Sequence, residues 1–203
     1  MDGSMVARRR GSVLKWFVGI LAVLIVLGLM LFGWFKGGYN TAVRKAEAVQ
    51  ASWAQVENQL QRRYELIPNL VNTVKGYAKH ERELFDKIAS YRTQYFQAKG
   101  TGKKINAANM MEGALSRLLL LQERYPDLKA NENFLRLQDE LAGTENRVAV
   151  ERKRYNTAVQ AIKTFGREFF GRMFCNYAGV NTDDFAYFEA EAAAQKGAPK
   201  VEF

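Results

Sequence analysis

Proline is scarce in this chain: three residues in 203, at positions 68, 126 and 199. With so few breakers and much Ala, Leu, Glu, Gln, Lys and Arg, long helices are favoured over short strands. A single cysteine, Cys175, excludes an intramolecular disulfide and leaves the redox compartment open. Its expected role is a small buried apolar side chain. There is also one histidine, His80, with no second histidine and no cysteine pair to complete a zinc set. No nucleophile and base can be paired into a hydrolytic centre, so no catalytic residue, metal or cofactor is expected. His80 stands between Lys79 and Glu81, off the apolar stripe, and is expected to be a polar helix-face residue. No repeat array and no alternating strand pattern occur.

The charge is +9 but uneven. Of 30 basic and 21 acidic residues, Arg8, Arg9, Arg10, Lys15 and Asp2 precede the apolar run, leaving 26 basic and 20 acidic after it. That excess is spread over helical faces and is not interleaved with aromatics, so nucleic acid is not an expected partner.

What is present first is WFVGILAVLIVLGLMLFGWF, Trp16 to Phe35, twenty residues without a charge. At ~1.5 Å per residue it covers about 30 Å, the hydrocarbon thickness of a bilayer. Trp16, Trp34 and Phe35 stand at its ends, where aromatic rings favour the interface, and Lys15 and Lys36 bracket it. The run is longer than a signal-peptide core and lacks a small-residue cleavage site, which predicts a retained anchor. Four basic residues precede the span, while Lys36, Arg44 and Lys45 follow it. This bias places a short N-terminal segment, 1–15, in the cytoplasm and the remaining domain across the membrane.

After the span, 16–35, Gly37-Gly38 is expected to loosen the exit. A three-four stripe then runs Tyr39, Ala42, Ala46, Val49, Trp53, Val56, Leu60, Arg63, Ile67, Leu70, Val74, Tyr77, Glu81, Leu84, Ile88, Tyr91, Tyr95. Such spacing lays one narrow face along helices that pack in coiled-coil fashion. Pro68 interrupts it, and a proline inside a helix costs ~3 kcal/mol or more, whereas at the first turn it is tolerated. The unbroken stripe argues for one rod kinked at Pro68. The need for packing partners along such a rod argues instead for a chain reversal at Glu65 to Ile67, with Pro68 opening a second helix. The packing argument weighs slightly more, so the reversal is the expectation. KGTGKK, Lys99 to Lys104, lacks phosphate-loop spacing and reads as a connecting loop. A third helix covers Ala107 to about Glu123, burying Met111, Leu115 and Leu118, and is stopped at Tyr125-Pro126-Asp127. Asn131 caps a long fourth helix reaching Phe170, with Phe134, Leu137, Leu141, Val148, Tyr155, Ala158, Ile162, Phe165 and Phe169 in stripe. The predicted class is all-α: a transmembrane helix and then an antiparallel four-helix bundle, 36–170. A tail, 171–203, carries a short helix near Phe185 to Ala194.

The stretches RRYELIPNLVNTVKGYAKHE, ENRVAVERKRYNTAVQ, YFEAE and APKVEF resemble the LemA family over nearly the whole chain after the anchor. The resemblance implies a bacterial inner-membrane protein with an N-terminal membrane helix and a four-helix bundle, and no enzymatic activity. It further implies, by analogy with some relatives, a part in membrane organisation or an association with membrane proteases. The chain departs from the family at KTFGREFFGRMFCNYAGV, where relatives usually close the last helix with a Phe-Pro pair.

Polar residues that break the stripes are the candidate site. Arg63 and Glu81 fall on core positions of the first two predicted helices, and Thr144 and Glu151 on those of the fourth, beside Glu145, Asn146 and Arg147. Buried charges need partners. Arg63 and Glu81 are therefore each expected to meet a partner on the fourth helix, among Glu145, Arg147, Glu151 and Arg152. The layer either fixes helix register or lines a pocket for a small ligand or partner. Trp53, Phe96, Phe185, Tyr187, Phe188 and Phe203 are candidates for an interaction surface. The expected function is a membrane-tethered scaffold or adaptor contacting itself or other membrane proteins; the alternative is a ligand-binding sensor or regulator of a membrane protease.

Overall fold

The structure is a computed structural model that describes the backbone of residues 4–189 and the side chains of 15–189. Among the described residues every regular element is helical. The first, α1, runs Ser4–Lys75 without interruption and so joins the apolar run and the first stripe in one rod of ~108 Å. Its apolar part from Lys15 onward is long and hydrophobic enough to cross a membrane and is uncovered by the rest of the fold. Then come α2 (Arg82–Gln97), α3 (Thr101–Leu120), a short α4 (Pro126–Lys129), α5 (Glu132–Arg167) and α6 (Gly171–Tyr177).

The reversal expected at Pro68 does not occur. The chain turns at Gly76 to Glu81 instead, and Pro68 lies inside α1. Two observations explain why the helix continues. Beyond and around the proline, Ile67, Leu70 and Val74 are each 2% exposed or less. Burying three such side chains is worth ~1.5–3 kcal/mol apiece, which outweighs the ~3 kcal/mol proline penalty. The second observation concerns the carbonyl that proline leaves bare. Pro68 cannot donate to Tyr64 O, and Arg92 Nε from α2 donates to it instead at 3.4 Å. Arg92 also stacks 5.3 Å from the Phe96 ring, which holds its guanidinium there. Pro68→Ala is therefore expected to raise the unfolding midpoint and to shrink the Arg92→Ala penalty, because the new N–H takes over Tyr64 O and only the Phe96 contact is left to lose. Thermal melts of both single variants and the double variant check this; equal Arg92→Ala penalties in the two backgrounds would refute it.

Four further expectations change. Gly37-Gly38 does not loosen the exit, since α1 is continuous there; Gly38 instead admits the Phe174 ring, which occupies the place of a Cβ. The predicted loop 99–104 is mostly helix, because α3 starts at Thr101 and the turn is confined to Ala98–Gly100, where Gly100 has φ 89°. Lys104 is thereby aimed at α1, where it pairs with Glu57. The fourth stripe ends at Phe165: α5 stops at Arg167, and Phe169 is 90% exposed. The tail departs from expectation too as far as it is described, because residues 185–189 are irregular rather than helical. Side chains take their backbone groups: Phe188 N donates to Asn156 Oδ1 (2.8 Å), Asn156 Nδ2 to Phe188 O (2.9 Å), and Tyr155 Oη to Ala186 O (2.6 Å). Residues 190–203 lie outside the described part.

Packing follows the stripes. α5 lies along α1 in opposite order, as shown by Tyr77 with Asn131, Trp53 with Tyr155, and Lys45 with Phe165. Asn131 caps α5 by accepting from Phe134 N at 2.9 Å. α2 packs on α3, and Tyr95 of α2 meets Tyr64 of α1 edge-on at 4.7 Å. α6 sits in the corner between α1 and α5, with Phe174 and Cys175 buried. Leu60, Val74, Met111, Leu118, Phe134, Val148, Tyr155, Val159 and Ile162 make the centre of the core, each at most 1% exposed.

Candidate functional site: a charged layer between α1, α3 and α5

Arg63 occupies a core position because its stripe neighbours Leu60, Ile67 and Leu70 are buried. Only 7% of it is exposed, so its charge needs a partner. The opposite run of α5 brings Glu145 to that level, and Arg63 Nη1 pairs with Glu145 Oε2. Glu145 Oε1 is 3.9 Å from Arg152 Nη1, about two turns farther along α5. Arg152 Nη2 in turn donates to Glu112 Oε2 of α3 at 2.8 Å. Two cations and two anions thus alternate across three helices. Arg152 also lies 4.3 Å over the Phe188 ring, so the tail roofs the layer.

The layer is electrostatically balanced but not saturated with hydrogen bonds. Arg63 Nε, Arg152 Nε, Tyr64 Oη and Gln59 Oε1 are buried without a hydrogen-bond partner among the described residues. Burial lowers the Arg63 pKa from its ordinary value, and the negative charge of Glu112 opposes this. Burial likewise raises the Tyr64 and Tyr95 hydroxyls, and it pushes Tyr155 up to about 12. A tyrosine whose folded pKa exceeds its unfolded value of 10 keeps a proton that the unfolded chain has released. Its contribution is intact below pH 10 and is lost as pH rises from 10 to about 12. Alkaline titration is therefore expected to ionise Tyr64, Tyr95 and Tyr155 only together with loss of helix. Phenolate absorbance completing while helical circular dichroism persists would contradict this.

Of the residues singled out in the sequence, Arg63, Glu145 and Arg152 are brought together. The others are not part of the layer. Glu81 lies in the turn before α2 and pairs with Arg124, a largely exposed side chain after α3, rather than with α5. Moving the reversal from Pro68 to Gly76–Glu81 is what takes Glu81 off a core position. Asn146 and Arg147 are exposed on the outer face of α5. Glu151 is satisfied on its own helix by Arg154 at 2.7 Å. Thr144 is buried and donates to Leu141 O at 2.7 Å. Glu112 was not anticipated; its signal was modest, one turn from the buried Ala108 and Leu115 on the edge of the third stripe.

His80 is exposed in the turn between α1 and α2, not on a helix face. His80→Ala is expected to leave the melting curve unchanged, and a clear destabilisation would contradict that.

The proposed interaction residues divide. Phe188 is 5% exposed and half-buried Trp53 is sandwiched by Tyr155 (5.3 Å) and Phe188 (6.3 Å), so both are interior contacts. Phe185 is half-buried against the core, and Tyr187 lies at the surface under Lys163 Nζ at 5.4 Å. Phe96 remains 51% exposed. Phe203 lies outside the described residues. At the other end, Trp16, Lys15 and Lys36 are exposed, whereas Trp34 and Phe35 meet α6: Trp34 with Phe174 at 5.1 Å, Phe35 with Phe174 at 5.7 Å.

The family model described as LemA family matches residues 52–203, a segment that includes Arg63, Glu112, Glu145 and Arg152. The chain belongs to the LemA family. Among curated relatives, the magnetosome protein MamQ 2 of Paramagnetospirillum magneticum is 27% identical over 168 residues, 70% of this chain and 60% of that protein. Protein LemA of Metamycoplasma hominis is 23% identical over 141 residues, 69% of this chain and 64% of its own length. The magnetosome protein MamQ of Magnetospirillum gryphiswaldense is 25% identical over 146 residues, 59% and 54% respectively. The LemA-family chain thus spans less than two thirds of each of these relatives.

Proposed function

We propose that this LemA-family chain is a membrane-tethered helical scaffold or adaptor that works through protein contacts, with itself or with other membrane proteins, and without catalytic chemistry. The observation that carries this reading is the unbroken α1. The segment able to span a membrane and the spine of the folded domain are one helix, so no flexible link separates them. From Phe35 to Lys75 that spine extends ~60 Å. A rigid post of this length holds any partner at a fixed distance and angle from the bilayer. In this reading α1, α2, α3 and α5 form one antiparallel four-helix bundle, with the N-terminus cytoplasmic and the bundle on the outer side of a bacterial inner membrane.

The charged layer serves the scaffold as a register device. An Arg–Glu pair shared by α1 and α5 penalises every sliding of one helix along the other. A small-ligand sensor, or a regulator of a membrane protease, is the second reading, favoured by the buried, unpartnered Nε atoms of Arg63 and Arg152. Against it, the charges that would recognise a ligand already neutralise one another.

Crosslinking the full chain in its native membrane, followed by sizing of the solubilised species, tests the scaffold. Crosslinked homo-oligomers or stoichiometric complexes are expected. A strictly monomeric chain with no crosslinked partner would overturn it.

A further inference from the structure

The corner made by the end of α5, the turn after it and α6 places exposed aromatics where α1 leaves its apolar segment. Phe170 and Phe174 contact Trp34 at 4.9 and 5.1 Å, and Tyr177 contacts Phe35 at 5.3 Å. Gly38 lets the Phe174 ring lie flush on α1, which fixes the corner at this height. Here Phe169 is 90%, Tyr177 67% and Phe170 48% exposed. Apolar rings so open to water are unusual beside a domain that buries or half-buries its other phenylalanines, Phe96 apart.

The charge around them has one sign in excess. Lys36, Arg167 and Arg172 are exposed, and no carboxylate lies within ion-pair distance of them among the described residues. A cavity of about 620 Å³ in the same corner is lined by Lys163, Arg167 and Arg172 against the single acid Asp183. Glu168, exposed on the turn, and Asp184, which accepts from Asn181 Nδ2 at 2.9 Å, are the other nearby acids. Aromatic rings beside unpaired cations, at the end of an apolar helix, match the headgroup zone of a bilayer.

We infer that this corner is a second membrane contact, in which Phe169, Phe170 and Tyr177 enter the headgroup region of an anionic bilayer and Lys36, Arg167 and Arg172 hold lipid phosphates. It rests on the reading that the apolar part of α1 is embedded in that same bilayer. The corner then acts as a foot that braces the post against tilting.

The test uses the full chain in a Cys175→Ala background, spin-labelled at Phe169→Cys, Val23→Cys or Lys79→Cys in turn. Each is reconstituted into vesicles of equimolar phosphatidylglycerol and phosphatidylcholine. Collisional access to oxygen, which enters the bilayer, is compared with access to a water-soluble nickel chelate. The Val23 label is expected to read as lipid, the Lys79 label as water, and the Phe169 label at interfacial depth. A Phe169 label as open to nickel as Lys79, with Val23 in lipid, overturns the foot and leaves the anchor standing. A Val23 label in water overturns the anchor and the foot together. Adding Arg167→Gln and Arg172→Gln is expected to raise nickel access at Phe169 by about twofold or more in these vesicles and to change nothing in pure phosphatidylcholine. An equal rise in both lipids removes the preference for anionic headgroups from the inference, since phosphatidylcholine carries a phosphate too, and no rise in either removes the phosphate contact.

Discussion

Glu145→Ala is expected to lower the unfolding midpoint by on the order of 10 °C, the largest loss of any single change in the charged layer. The alanine leaves Arg63 buried with no anion in contact and takes from Arg152 one of its two carboxylates. Breaking one member of a buried pair costs ~3–5 kcal/mol, and a domain of this size loses ~2–4 °C per kcal/mol. Arg63→Ala should come close to it, because Glu145 is partly exposed and water can solvate the carboxylate left behind. Glu112→Ala should cost less, since Glu112 is itself more than a third exposed and Arg152 retains Glu145. The double change Arg63→Met with Glu145→Leu should recover most of the loss, because apolar side chains of similar volume remove both charges at once. Melts of these four variants decide the matter. A fall of only a degree or two for Glu145→Ala would show a solvated pair of the surface kind, worth ~0–1 kcal/mol.

The stripe that made this layer visible was legible because helical periodicity is a local property. Seven-residue spacing places Arg63 among Leu60, Ile67 and Leu70 whatever α1 packs against. Its acceptor could be sought on α5 because a buried cation demands an anion, and only one other helix was long enough to supply it. Pro68 was misread for the opposite reason. The local penalty was visible, but its two compensations, three buried side chains and a guanidinium brought from Arg92, come from tertiary neighbours. Glu81 followed Pro68 into error. The path of residues 185–189 was equally hidden, since Asn156, thirty-two residues away, holds Phe188 through both its backbone groups. Nothing near Phe188 announces that. The overall all-helical class needed no such long-range information, because scarce proline and uniform periodicity fix it locally.

Gly171→Ala is the second large effect expected, and its cause is steric. A Cβ at Gly171 would run into the carbonyl of Phe165, with Glu168 Cβ a further 3.3 Å neighbour. The obstacle is backbone in the last turn of α5, held by Glu168 N donating to Thr164 O at 3.2 Å. It cannot rotate away as a side chain could. Gly171 does not have a positive φ, so the smallest chiral side chain fails here for lack of space alone. Overpacking typically costs ~1–3 kcal/mol, and the rigid obstacle puts this case at the upper end. The corner between α5 and α6 should open, drawing Phe174 off Gly38 and Phe170 off Trp34. Hydrogen exchange should then show α6 amides, Gly171 to Tyr177, losing protection while α2 and α3 keep theirs. Gly38→Ala supplies the contrast, because the atoms nearest its Cβ all belong to the Phe174 ring, a side chain. Its penalty should largely disappear in a Phe174→Ala background, where the ring is gone. The Gly171→Ala penalty should persist there, since a backbone carbonyl is still in the way. Rescue of both glycine variants by Phe174→Ala would mean that the corner is set by the aromatic contact rather than by the tight approach of the two helices.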